Sequence, residues 1–472
     1  VIFGGLLWHL CRGSPLFCDM NLMRSDATSP LAVTGVGDLG GVTFPTLLHQ
    51  YSRALQARAH RARLQISLAA IIACAASLHA EEAKEIKFSD PPHGYYTRTP
   101  EDAFSKWLRQ FKDGKSQLDT NSEKARLLSL LKALDVPVTS QLLVYSATSL
   151  QAGLIRPSNP RALYFNDEVY VGFVPGGKLE IAAIDPELGP IFSVVNNSFR
   201  SGGPPDIIRT ERCMNCHAGN VSWRLPGFTA ESVIPMNSGG SLDGFRRDIV
   251  GHTIPIADRF GGWHVTGAYE KGDHHGNVIG YATGSGYKME PNPPGRLFDW
   301  ETYPVRTSDM FTHLIHEHQL GFHNLITLAV YRTREFKEAG HGSISSENMT
   351  KLNDIARQLV RYLLFANEAK LPNGGIKPDP AYEKDFLARR TAIANGASLR
   401  DLDLRTRLFR YRCSYLVHTP SFAGLPREFK DRVITGLSSA LREQGGPPEF
   451  NYLPATEKRA IATILRETKV VP

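Results

Sequence analysis

The sequence predicts an α+β fold, in which a β-rich central region packs on a C-terminal helical region. Two patterns predict it. Short β-branched and aromatic runs bounded by Pro and Gly fall at 141–146, 169–174, 179–184 and 191–195, and again at 263–269 and 278–282. From residue 308 onward the spacing turns helical. The segment 308–339 keeps Phe311, Leu314, Ile315, Phe322, Leu325 and Ile326 on one side, and further helices are predicted at 350–369, 381–394, 402–417, 426–443 and 455–468.

Ahead of the strands, Thr99, Pro100, Glu101 and Asp102 supply a cap, a first-position proline and early acids. They open a helical stretch that breaks near Asp113 and Gly114 and ends about residue 134. No internal repeat is visible. The chain therefore divides into an upstream extension (1–57), a signal segment (58–80), an N-terminal helical segment (81–140), a β-rich region (141–300) and a helical region (301–472).

A chain of 472 residues, 42% hydrophobic and 21% charged, has ample material for a core. This composition excludes a disordered, collagen-like or multi-span membrane chain. The net charge of +7 is not concentrated: residues 1–80 hold six Arg against three Asp, and the remaining charges of both signs are dispersed. No basic run alternates with aromatics, so nucleic acid is not an expected partner.

Arg58, Arg61 and Arg63 precede the apolar run LQISLAAIIACAASL, which is followed by His79, Ala80, Glu81 and Glu82. A basic start, a short apolar core and a small residue before a polar stretch describe a secretory signal, with cleavage expected after Ala80. The run is too short to span a membrane, which takes about 20 residues. Within it, Ile71, Ile72, Ala73 and Cys74 resemble a lipoprotein box; processing there would leave Cys74 lipidated and tether the chain to a membrane. The extension before it reads as a misassigned translation start, and Cys11 and Cys18 inside it receive no role.

Cys213, Met214, Asn215, Cys216 and His217 form C-x-x-C-H, which this composition would produce by chance roughly 0.003 times per chain. Two thiols three positions apart can each add to one haem vinyl group, and the adjacent imidazole then reaches the iron from the same side. The expectation is one covalent haem c on Cys213 and Cys216, with His217 as proximal ligand. A zinc site would need a second ligand pair, yet the chain past the signal segment adds only Cys413. Cys413 is expected to be a buried, inert thiol. The motif follows a run of strands and sits in a Gly- and Pro-rich loop, so this is not a minimal all-helical cytochrome c domain.

The distal ligand stays open at this level. Met236, Met289 and Met310 are available, as are His252, His264, His274 and His275, and on the long helix His313, His316, His318 and His323. His316 and His323, seven apart, share a helix face, as do Glu317 and Asn324. The segment His316-Glu317-His318 is not a zinc-protease H-E-x-x-H, because position 320 is Leu320.

PRALYFNDEVYVGFV (160–174), RTERCMNCH (209–217), HTIPIADRFGGWHVTG (252–267), HHGN (274–277), EHQLGFHNLIT (317–327) and RCSYLVHTPSFAGLP (412–426) carry a resemblance across residues 142–468. The chain resembles a family of exported, mostly uncharacterised single-haem cytochrome c domain proteins. The resemblance implies haem binding and single-electron transfer with redox partner proteins outside the cytoplasm, in the periplasm. It points to His252, His275, His318 and His323 as distal candidates. His264 is weaker, since the family often has Tyr there. Two other functions are compatible with the sequence: a peroxidase- or oxidase-like haem enzyme using Glu317 or a nearby His as proton donor, and a haem-based sensor or scaffold. Electron transfer is the leading expectation, and no catalytic residue is assigned.

Overall fold

Side-chain alternation along six strands divides the molecule into two apolar layers. The computed structural model describes residues 87–196, 206–247, 249–269 and 271–472. The upstream extension, the signal segment and the Cys74 box lie outside the described residues, as does the stretch 201–205 ahead of the C-x-x-C-H motif. Residues 84–472 cluster as one unit, and its main apolar core runs continuously across residue 300.

The N-terminal helices are α1 (Ala103–Lys112) and α2 (Glu123–Ala133). The expected start at Thr99 moves three residues on. Asp102 is the cap, accepting from the Ser105 backbone N–H at 2.9 Å, while the Glu101 N–H is drawn to Asp185 at 2.6 Å and kept out of the helix. The break at Asp113 and Gly114 falls where the sequence places it, with Asp113 as the C-cap.

Six strands follow as an antiparallel meander in sequential order: β1 (Leu142–Val144), β2 (Arg161–Phe165), β3 (Val169–Phe173), β4 (Leu179–Asp185), β5 (Gly189–Val195) and β6 (Ile207–Arg209). Leu143, Tyr164, Val171, Phe173, Ile181 and Ala183 pack on Phe104, Trp107 and Leu127 of the N-terminal helices. The alternate residues Leu142, Val144, Phe165, Tyr170, Ala182 and Phe192 face the opposite layer, with the long helix. Burial on both faces is why VYVGF and LEIAAID are almost continuously apolar.

After β6 comes a short helical turn, α3 (Met214–His217), and then two hairpins. β7 (Ser232–Pro235) pairs with β8 (Ser241–Arg246), and β9 (Val278–Thr283) pairs with β10 (Gly286–Pro291). The expected strand 263–269 does not form. It runs beside β1, with the His264 N–H donating to Leu143 O at 2.9 Å and a single bridge between Val144 and Trp263. Further pairing is replaced by the Asn277 side chain, which accepts from the Val265 N–H at 2.9 Å and donates to Val265 O at 2.7 Å.

The remaining helices are α4 (Met310–Ala339), α5 (Ser346–Leu363), α6 (Pro380–Ala388), α7 (Pro420–Ala423), α8 (Arg427–Ala440) and α9 (Ala455–Glu467). Asp309 caps α4 by accepting from the Phe311 and Thr312 N–H groups. From Met310 through Tyr331 every residue of α4 is buried, so this helix has no solvent face over six turns. The helix expected at 402–417 is absent. Asp403 takes the N–H groups of Arg405 and Thr406 at 2.9 and 2.8 Å, and Asp403 N–H turns back to Leu408 O, which diverts this backbone into a turn. Only Tyr415–His418 at its end is helical, as one 3₁₀ turn.

Among the described residues, no helix is long and apolar enough to cross a membrane.

Candidate functional site

The sheet face turned toward α4 is not filled by side chains. Cross-strand rows place Tyr170, Ala182 and Phe192 side by side, and next to them Leu163, Gly172, Glu180 and Val194. Gly172 and Ala182 lie in the middle of these rows and contribute little volume. The result is a cavity of about 670 Å³ between the sheet, the Cys213–His217 turn and α4. A space of this size is ordinary for a small-molecule or cofactor site.

The C-x-x-C-H segment forms one wall. Cys213 and Met214 have right-handed helical backbone, and Thr210 Oγ1 caps the turn by accepting from the Arg212 N–H. Helical spacing puts Cys213 and Cys216, three apart, on the same side, and both line the cavity together with His217. Cys216 is exposed and Cys213 half-buried; burial raises the Cys213 thiol to about 11. Cys413 is fully buried, and burial likewise raises its thiol well above the ordinary value.

His217 is held by the backbone. Its Nδ1 lies 2.9 Å from Gly227 O, and the Gly227 N–H donates to His217 O at 2.7 Å. A carbonyl only accepts, so Nδ1 carries the proton and Nε2 keeps its lone pair. The ring packs 4.2 Å from Phe192, and burial lowers the imidazole to about 4. Asn324 of α4 holds the next residue: its Oδ1 accepts from the Phe228 N–H at 2.7 Å and its Nδ2 donates to Phe228 O at 2.9 Å. Gly227 is required there, because an added Cβ would sit 2.3 Å from Ser222 Cβ and 2.7 Å from Asn324 Oδ1. The imidazole is thus referenced to the longest helix through two residues.

The polar part of the wall is an ion pair across the sheet face, Arg161 Nη1 to Glu180 Oε2 at 3.0 Å. Burial works to raise the Glu180 carboxyl, but Arg161, Gln151 and Ser149 outweigh it and leave the group lowered.

The four histidines singled out as distal candidates are not on the cavity wall. The Nδ1 atoms of His252 and His318 are 3.0 Å apart, and His318 Nε2 meets Ser414 Oγ at 2.8 Å. His323 Nε2 bonds Asp167 O at 2.9 Å, and His275 stacks on Phe245. The weaker candidate His264 sits against Tyr145 and Asn277. The cavity is instead met by His316, with Leu320 one turn further along α4 and Trp263 beside it. Burial lowers the His316 imidazole to about 3. The helical register had paired His316 with His323, and both do flank Tyr170; nothing in the spacing said which of the two met open space.

Glu317 is also off the cavity wall. Its carboxylate is clamped between Arg246 Nη2 at 2.8 Å and Arg259 Nη1 at 2.5 Å, all three buried. Those guanidinium groups also donate to the carbonyls of Ala230, Ile249, Ile254 and Gly251, so Glu317 ties the connecting loops to α4.

Among the described residues, no group of three or more His, Cys, Asp or Glu side chains gathers into a metal-ligand cluster. No protein-family model matches the chain, nor does any curated protein or solved structure.

Proposed function

We propose that this protein is an exported c-type cytochrome that carries one covalent haem c and transfers single electrons to redox partner proteins outside the cytoplasm. Cys213 and Cys216 would carry the two thioether links and His217 the proximal iron bond. One observation carries the reading: His217 has its Nδ1 proton committed to Gly227 O and its Nε2 lone pair free, on the wall of a 670 Å³ cavity shared with both cysteines. Iron-ligating histidines use that kind of second bond to fix tautomer and ring orientation. A porphyrin brings four nitrogens of its own, so the chain needs to supply only axial donors, and a larger ligand cluster among the described residues is not required.

When bound, haem supplies a one-electron iron couple. The remaining contributions belong to the chain. The Gly227 carbonyl and the Asn324 clamp hold the proximal imidazole. Phe192 and Phe228 pack against that ring, Tyr170 packs against Phe228, and Arg161 and Glu180 form an ion pair on the wall. The alternative of a haem enzyme with Glu317 as proton donor has less support, since Glu317 is buried in a double arginine clamp away from the cavity. Export rests on the Arg58–Ala80 signal pattern. If Cys74 is the processed terminus, the protein is tethered to a membrane.

The test is expression with a haem-ligation system, followed by the pyridine haemochrome assay on denatured protein. One covalent haem per chain is the expected result, with Cys216→Ala losing the two-thioether spectrum. Colourless protein, or an unchanged two-thioether spectrum in Cys216→Ala, overturns the proposal.

A further inference from the structure

The cavity wall carries a second imidazole besides His217. His316 lies on α4 and is only 5% exposed, yet its ring makes no hydrogen bond, and its nitrogens are not sealed from the cavity. Its surroundings are rings: Phe165 at 5.1 Å, Tyr170 at 5.8 Å and Trp263 at 6.2 Å between centroids. Most of the other buried histidines have a polar partner: His252 with His318, His264 with Asn277, His313 with Ser308, and His323 with Asp167 O. A buried imidazole without a partner costs free energy, because its desolvation is not offset. Retained on a cavity wall, it points to a ligand that supplies the missing interaction.

We infer that His316 is the axial ligand on the second face of the haem, making the iron bis-histidine and six-coordinate. The inference rests on the proposed haem site and goes beyond it by naming the residue that closes it. No methionine lines the cavity, and His316 is the one neutral nitrogen donor there apart from His217 among the described residues. The two ligands are held by different means. His217 is set by a hydrogen bond to Gly227, whereas packing between Phe165, Tyr170 and Trp263 sets the ring of His316. A site closed by imidazole on both sides suits electron transfer rather than binding of peroxide or another small ligand. Of the two carboxyls that line the cavity, Glu180 is paired with Arg161, and the other is Glu231.

The ferric spectrum of the full, haem-loaded protein tests this. Wild type is expected to be low-spin. His316→Ala is expected to become high-spin, bind cyanide, and return to low-spin on adding imidazole, which would fill the vacated space. The conservative His316→Met is expected to remain six-coordinate with a raised reduction potential. A wild-type spectrum that is already high-spin overturns the inference, as does a His316→Ala spectrum still low-spin without imidazole. If His316→Ala does not retain haem, electron–nuclear spectroscopy on wild type labelled with ¹⁵N-histidine counts the axial imidazoles: two support the inference and one overturns it. Failure to attach haem in wild type would instead sink the proposed function, so the two failures are distinguishable.

Discussion

The Nδ1 atom of His217 is 2.9 Å from the carbonyl oxygen of Gly227, and Gly227 in turn has no space for a side chain. These facts are one constraint, because the carbonyl approaches the ring only if the backbone passes tightly between Ser222 and Asn324. Gly227→Ala is expected to destabilise the fold by about 1–3 kcal/mol, the usual cost of overpacking, and to reduce covalent haem yield. Urea midpoints of apo protein, together with haem-to-protein ratios, check both effects. A yield at wild-type level would mean that the Gly227 carbonyl does not position His217.

Asn324 holds both backbone groups of Phe228, so its removal leaves a buried N–H and a buried C=O without partners. Each orphaned group costs about 1–3 kcal/mol. Asn324→Ala is therefore expected to lower the thermal midpoint clearly and to broaden the haem spectrum through a less fixed His217. Asn324→Asp keeps the acceptor and loses the donor, and it should fall between wild type and Asn324→Ala. A thermal midpoint equal to wild type in Asn324→Ala would contradict the clamp.

Glu317 stands as the shared anion for two buried arginines. Removing it strands two like charges in the interior, which costs about 3–5 kcal/mol in comparable buried pairs. Glu317→Ala is expected to lower the unfolding free energy from urea titration by that amount, while any refolded, haem-loaded protein keeps the wild-type absorption spectrum. A stable variant with an altered haem spectrum would instead assign Glu317 to the cavity.

Much of the architecture was legible in the residues. The runs at 169–174, 179–184 and 191–195 became β3, β4 and β5, because strands buried on both faces carry dense β-branched sequence. The long helix was legible from its apolar spacing. Side-chain competition for the backbone was not: Asn277 at Val265 and Asp403 at Arg405 and Thr406 displaced a strand and a helix that composition favoured. The histidine of α4 that lines the cavity was hidden for a related reason. A helix with one solvent face reveals its inner side by periodicity, but α4 is buried all round from Met310 to Tyr331, so His316, His318 and His323 look alike in sequence. Only the position of the small residues Gly172 and Ala182 across the sheet decides which of them meets open space.

Acid lability is the last expectation, and opposing groups decide its sign. Burial lowers His252, His264 and His313 to about 3, and His93, His323 and His418 to about 4, from an ordinary 6.5. A base whose folded value is depressed contributes stability that is complete above pH 6.5 and is lost as pH falls toward the folded value, since only the unfolded chain takes up the proton. Burial also raises Glu168 and Glu368 to about 7 and Asp309 to about 6. Those carboxyls act in the opposite sense, contributing stability below about pH 4 that is lost as pH rises through 6 to 7. Six histidines outweigh three carboxyls, so the apo protein is expected to lose stability steadily between pH 6.5 and 4, with net proton uptake on unfolding. Urea titrations at half-unit pH steps measure this slope. His418→Gln, which removes one such group at a half-buried position beside Thr468, should make the slope shallower by up to one proton. A stability that stays level or rises between pH 6.5 and 4 would show that these imidazoles are not buried in their neutral form.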